Sequence, residues 1–115
     1  MTHDIRAHLR FLSISAQKVR LVLDVVRGKD VIKAMDTLRF MPQGAARPVL
    51  KLVASAVANA EENFGVSRDD LYVATIFADE APTRKWRRFG ARGRFKPILR
   101  RSSHVTVILR EREAA

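Results

Sequence analysis

Residues 81–101 contain nine cations, Arg84, Lys85, Arg87, Arg88, Arg92, Arg94, Lys96, Arg100 and Arg101, and not one acid. Trp86, Phe89 and Phe95 are set among them, and Gly90 and Gly93 interrupt the run. Cationic side chains neutralise phosphates and aromatic rings stack on unpaired bases. Glycines let the backbone turn tightly and approach closely, so the combination suits an irregular or single-stranded nucleic acid. The remainder of the chain holds 13 cations against 12 acids, so nearly all of the formal net charge of +10 resides in this one stretch. Solubility does not require such clustering, and a field so concentrated attracts a polyanion.

Other chemistries find weaker support. His3, His8 and His104 are scattered, with no spacing that resembles a metal-ligand cluster, so no metal site is expected. His104 reads as a hydrogen-bonding or RNA-facing residue. The absence of cysteine excludes a disulfide framework, a thiolate zinc site and a catalytic thiol, and is compatible with the cytosol. The doublets Asp69-Asp70 and Asp79-Glu80 could in principle do acid–base work, but such doublets more often end strands and balance nearby arginines. Gly90-Ala91-Arg92-Gly93 lacks the spacing of a phosphate-binding loop and opens no helix, so it is a turn signal. The expectation is a protein without enzymatic activity and without a cofactor.

The elements that must carry these residues can be read from periodicity. Ile5, Ala7, Leu9 and Phe11 alternate with Arg6, His8 and Arg10, which predicts a strand with a buried apolar face and a wet basic one. Ser13 and Ser15 offer caps to a helix over about 16–27, whose apolar positions are Val19, Val22, Leu23 and Val26, and Gly28 supplies a left-handed stop. Asp30 can cap a second helix with Val31, Ala34, Met35 and Leu38 on one stripe, closed by Pro42. A third stripe, Val49, Leu50, Val53, Ala56, Val57 and Ala60, ends near Gly65, and Pro48 requires that this helix begin close to Arg47 or bend there. Small residues at 54, 55, 56, 58 and 60 allow close helix packing. Residues 71–78 and 102–109 are rich in β-branched and aromatic residues and predict two further strands. Phe40, Phe64, Tyr72 and Phe77 read as core residues.

Between those last strands lie residues 79–101, or the 24 residues 79–102 where the last strand starts one later, far longer than an ordinary hairpin loop of roughly 2–5 residues. As a β-ribbon of about ten residues per side, they would reach roughly 30 Å beyond the sheet. A two-stranded ribbon bearing like charges is marginal in water, so a polyanionic partner should order it. On the helix preceding Gly28, Lys18, Arg20, Arg27 and Lys29 make the polar side basic, and Arg6 and Arg10 extend that surface. The chain has the length of one domain, residues 1–115, with the arm 79–102 inside it. Its longest uncharged stretch, the nine residues 52–60, is less than half of the ~20 that a spanning helix needs, so no membrane partner is expected. Residues 1–10 lack the apolar core of a secretory signal, so no targeting segment is expected.

Three segments, SAQKVRLVLDVVRGK (15–29), SAVANAEENFG (55–65) and DEAPTRKWRRFGARGRFKPILRRSSHVTVIL (79–109), resemble ribosomal protein twenty-two of the large subunit over residues 5–112, in the family's order and spacing. The resemblance implies an α+β fold, three helices packed on a three-stranded antiparallel sheet, with a long basic β-hairpin extension. It implies a cytoplasmic, structural constituent of the ribosome that binds large-subunit ribosomal RNA, supports assembly and sends its hairpin along the wall of the peptide exit tunnel. The implied partners are that RNA, neighbouring large-subunit proteins including protein four, the nascent polypeptide, and macrolide antibiotics near the hairpin tip.

Position by position, Ser15, Gln17, Lys18, Arg20, Arg27 and Lys29 match the family's RNA-contacting helix. Lys85, Arg94, Arg100 and Arg101 match its basic arm positions. Arg6, Arg10, Arg84, Trp86, Arg87, Arg88, Arg92, Lys96 and His104 complete the expected RNA-binding set. The tip that would line the tunnel is Arg88, Phe89, Gly90, Ala91, Arg92 and Gly93. The family's tip commonly reads proline, arginine, alanine, a variable residue and glycine, whereas Phe89 and Gly90 stand here for the first two, and Trp86 and Pro97 occupy places where cations are common. The rival from another class is an architectural DNA-binding protein that inserts a β-ribbon arm into the minor groove, usually as a dimer; preference for duplex DNA would identify it. A small nuclease using Asp79 and Glu80 is a third reading, which an undiminished activity of Asp79→Ala would dismiss.

Overall fold

The computed structural model describes residues 4–89, 93 and 95–112, with residues 85–89 and 95–98 described by their backbone. The order of elements is β1 (Ile5–Leu12), α1 (Ala16–Val26), α2 (Val31–Phe40), α3 (Ala46–Phe64), a 3-10 turn at Arg68–Asp70, β2 (Leu71–Glu80), β3 (Arg84–Phe89), β4 (Phe95–Arg100) and β5 (Ser103–Glu111). An antiparallel three-stranded sheet runs β1-β5-β2, and β3 and β4 form a separate antiparallel pair. The three helices cover one face of the larger sheet, which is the expected α+β arrangement.

The core follows from the apolar stripes. Val19, Val22, Leu23 and Val26 of α1, Val31, Ala34 and Leu38 of α2, and Val49, Val53, Ala56, Val57 and Ala60 of α3 are all buried. They meet the inward residues of the sheet, Ile5, Leu71, Val73, Ile76, Val105, Val107 and Leu109. Burying that much aliphatic surface, at about 25 cal/mol per Å², is the main force holding the layers together. Ala56 and Ala60 face the core as small residues at a helix seam should, whereas Ser55 and Ala58 face solvent. Pro48 is the third residue of α3, within the first turn where no intrahelical N–H partner is required, so the helix starts at Ala46 without loss. Gly65 ends it at φ +63°.

Two expectations about aromatic burial are corrected. Phe40, the last residue of α2, is 85% exposed, and Phe64 and Phe77 are also exposed, while Tyr72 is half-buried beneath the Arg112 guanidinium at 4.5 Å. Phe77 lies between inward Ile76 and Ala78, so strand alternation turns it to the outer face. Phe11 is 60% exposed as well. The cause is a register shift in β1: Leu9 pairs with Val105 and Leu12 with Ser103, so one strand carries an extra residue. Phe11 occupies that bulge at φ +55°, and Leu12 replaces it against the core.

The ladder between β2 and β5 continues past Glu80 and Ser103 through the Ala81 N–H, which donates to the Ser102 carbonyl at 3.0 Å. Pro82, which has no N–H, follows at once, and the next paired segment begins at Arg84 opposite Arg100. The extended segment is therefore divided into two sheets. Pro97 lies opposite Arg87 within a two-stranded pair, in which both strands are edges and a missing donor is tolerated.

Candidate nucleic-acid interface

A groove of 1380 Å³ opens where β1 passes into α1 and where the paired strands β3 and β4 leave the body. Phe11, Ser15, Gln17, Lys18 and Leu21 line it from the body, and Arg84, Leu99, Arg100 and Arg101 from the other side. Glu80 is the acid among the described lining residues. Several bonds fix this junction. The hydroxyl of Ser103, fully buried, donates to the Ile14 carbonyl at 2.9 Å and so fastens the entry to α1 onto β5. Ser15 precedes α1 without capping it through its side chain. Leu21, 65% exposed on α1, and Leu99 give the groove an apolar element among cations.

The cations of α1 divide into two kinds. Lys18 faces the groove, but Arg20 and Arg27 turn to the sheet. Arg20 donates through Nε and Nη2 to the Ala78 carbonyl at 3.2 and 2.9 Å, and Arg27 through Nη2 to the Ile76 carbonyl at 2.9 Å. Arg27 also meets Asp24 at 2.6 Å. β2 is an edge strand, and these two guanidiniums, seven residues apart on one helix face, satisfy carbonyls of its open side. The same edge is paired further along, where the Gly28 N–H donates to the Val73 carbonyl and the Val73 N–H to the Lys29 carbonyl, both at 2.9 Å. Gly28 reaches this position at φ +81°. Periodicity alone gave no sign that Arg20 and Arg27 close a sheet edge, since the polar side of an isolated helix points only to solvent.

Arg6 and Arg10 are exposed on β1. His104 on β5 accepts the Phe11 N–H at Nδ1 across 3.0 Å, and the two rings meet edge to face with centroids 4.6 Å apart. The sequence offered no signal for Phe11 as a surface aromatic, because the bulge that exposes it leaves no glycine. Among the other expected residues, Lys85, Trp86, Arg87, Arg88, Phe89 and Lys96 take register positions in β3 and β4, and Gly93 has φ +72°. Gly90, Ala91, Arg92 and Arg94 lie outside the described residues.

Elsewhere the body neutralises itself. Arg110 donates to Asp4 at 2.6 Å, Arg68 to Glu61 at 2.8 Å, Arg39 to Asp36 at 3.1 Å, and Arg112 to Asp30. The hydrogen bond from Arg110, helped by its charge, holds the Asp4 carboxyl below the ordinary carboxylate range and raises the guanidinium in turn. Among the described residues there is no group of His, Asp or Glu able to hold a metal, and no helix is long and apolar enough to cross a membrane.

The sequence of residues 7–110 matches the family model described as ribosomal protein L22p/L17e. The chain is also 47% identical over 109 residues to the large ribosomal subunit protein uL22 of Chloroflexus aggregans, covering 95% of this chain and 96% of that one. The chain belongs to the L22p/L17e family of ribosomal proteins. The matched span of the L22p/L17e model takes in all or most of each strand of the three-stranded sheet, the three helices and the whole cationic segment. Membership therefore rests on body and arm together, and the family is a structural class of ribosomal protein, not an enzymatic one.

Proposed function

We propose that this structural constituent of the large ribosomal subunit binds large-subunit ribosomal RNA through the groove at the root of β3 and β4 and through the cationic segment beyond it. In this reading the near-neutral body docks on the RNA surface in the cytoplasmic ribosome, and the arm brings cations to phosphates and aromatic rings to splayed bases. The reading extends to support of subunit assembly, to a place for the arm along the peptide exit tunnel beside protein four and the nascent chain, and to proximity of its tip to the macrolide site. The carrying observation is the partition of charge. In the body Arg20, Arg27, Arg39, Arg68, Arg110 and Arg112 bond to its own acids or to the β2 edge, while nine cations without an acid begin where the groove opens.

The test is binding of the purified chain to transcribed large-subunit RNA across a salt series. If roughly six to nine phosphates are neutralised, log K should fall against log salt with a slope of about −4 to −8. Replacing Arg87, Arg88, Arg92 and Arg94 together by Gln should flatten that slope by about 3 while the body still melts cooperatively. A slope near zero in the parent would refute the electrostatic reading, and a preference for duplex DNA would replace RNA as the partner. Sedimentation of the tagged protein in lysate should show it moving with the large subunit, and ribonuclease should release it.

A further inference from the structure

We propose that Phe11 is a stacking platform for one unpaired base of the bound RNA, at the mouth of the groove whose cations hold the neighbouring phosphates. The inference rests on the RNA-binding reading above and names a subsite within it. Phe11 is the one described non-glycine residue with positive φ, at +55°, a conformation that is sterically costly for any residue with a Cβ. Such strain persists where the surroundings over-determine it and is concentrated at ligand sites. Here the surroundings are specific. His104 accepts the Phe11 N–H at 3.0 Å and meets its ring edge to face, so both the backbone and the ring are fixed. What this arrangement achieves is exposure: the bulge lifts the ring out of the apolar face of β1 and leaves it 60% accessible. A phenylalanine serving only the core would follow the alternation that buries Ile5 and Ala7.

The occupant is set by the neighbours. Phe11 lines the same groove as Lys18, Arg84 and Arg101, with Arg10 preceding it on β1. A ring among cations suits a nucleotide, which presents a π-face and a phosphate at once; an apolar protein surface would leave those charges uncompensated.

The experiment uses the full chain with Phe11→Ala, Phe11→Leu and Phe11→Trp, and two probes, single-stranded poly(A) and a fully paired RNA duplex. Phe11→Ala and Phe11→Leu should each weaken binding to poly(A) by about 5- to 150-fold, the range that stacking on one base supports. The salt slope should stay at the parental value, since no phosphate contact is removed. Phe11→Trp should restore affinity, and in a Trp86→Phe background its emission should be quenched by poly(A) and unchanged by the duplex. Equal binding of parent and Phe11→Leu to poly(A), in a parent that retains its salt dependence, would overturn this inference alone. Absence of salt-dependent RNA binding in the parent would instead overturn the reading on which it rests. Phe11→Leu keeps an apolar side chain at the bulge, so it answers the question even where the alanine variant melts early.

Discussion

Arg20 and Arg27 provide the sharpest separation between a fold role and an RNA role, because both are cations on a helix expected to face RNA and both are bonded to the sheet. Consider Arg20→Met, which keeps the aliphatic stem and removes the donors. Two N–H groups leave one carbonyl, that of Ala78, part-buried on an edge strand. A charged hydrogen bond contributes about 1.5–3 kcal/mol, and partial access of water to the edge brings the loss to the low end, about 1–2 kcal/mol. For a chain of 115 residues the unfolding entropy near the midpoint is about 240 cal/mol/K, so the melting temperature should fall by roughly 4–8 °C. Arg27→Met removes a comparable contact to the Ile76 carbonyl and an exposed pair with Asp24 that adds little. The two sites are two helical turns apart, about 10 Å, so the double variant should lose the sum of the single effects. The assay pairs thermal melting with an RNA salt titration. If the arginines serve the edge, melting falls and the slope of log K against log salt is unchanged. A variant that melts within 1 °C of the parent while its slope flattens by about 0.7–0.9 would refute the argument and return the residue to the phosphate-binding set.

Gly28→Ala should cost about 1 kcal/mol, or roughly 4 °C in melting temperature, because φ is +81° there although a Cβ would meet nothing within 4 Å; an unchanged melting curve would show that the backbone relaxes freely. Asp4 has its carboxyl lowered by Arg110, so the stability it adds is complete above its unfolded value of about 3.9 and is lost as the pH falls through the lower folded value. The melting difference between the parent and Asp4→Asn, measured from pH 7 to pH 2, should accordingly shrink at the acid end. A difference constant over that range would mean that the Arg110 contact does not couple to protonation.

Periodicity made the helices legible because their stripes have one solution: Val19, Val22, Leu23 and Val26 can share a face only at 3.6 residues per turn, and all four are buried. Gly28 and Gly65 were legible as stops for an equally local reason, and both have positive φ. What escaped was whatever depended on a partner strand. Alternation assigns Phe11 to the buried face of β1, and only the pairing of Leu9 with Val105 and Leu12 with Ser103 reveals the extra residue that turns it outward. Hydrophobicity assigns Phe40 and Phe77 to the core, but one lies at the last position of α2 and the other between two inward residues. The candidate site was legible as composition, nine cations in a run, and not as geometry. No spacing in the chain announces that Ser15, Lys18, Arg84 and Arg101 line one groove, since the junction that joins them is made by Ser103 to Ile14 and Ala81 to Ser102, contacts between residues 89 and 21 positions apart.

The two uses of arginine in this chain explain why the net charge is so unevenly placed. An RNA-binding body that carried all its cations free would repel itself and lose stability, a cost that grows with charge density. Here Arg20 and Arg27 close a sheet edge at Ala78 and Ile76, and Arg27, Arg39, Arg68, Arg110 and Arg112 pair with Asp24, Asp36, Glu61, Asp4 and Asp30, so these six arginines contribute to the fold and leave little field. Among the cations of the groove, Lys18, Arg84 and Arg101 make no ion pair with the described residues, and they stand where β3 and β4 leave the body. Repulsion is thereby confined to a segment that, among the described residues, contributes none to the buried core beyond Ala81, and phosphates can relieve it without disturbing the layers. Moving the same charge onto α1, for example by Leu21→Arg and Val25→Arg, should therefore strengthen nonspecific RNA binding at low salt yet lower the melting temperature of the free protein, and the loss should shrink as salt screens the added charges.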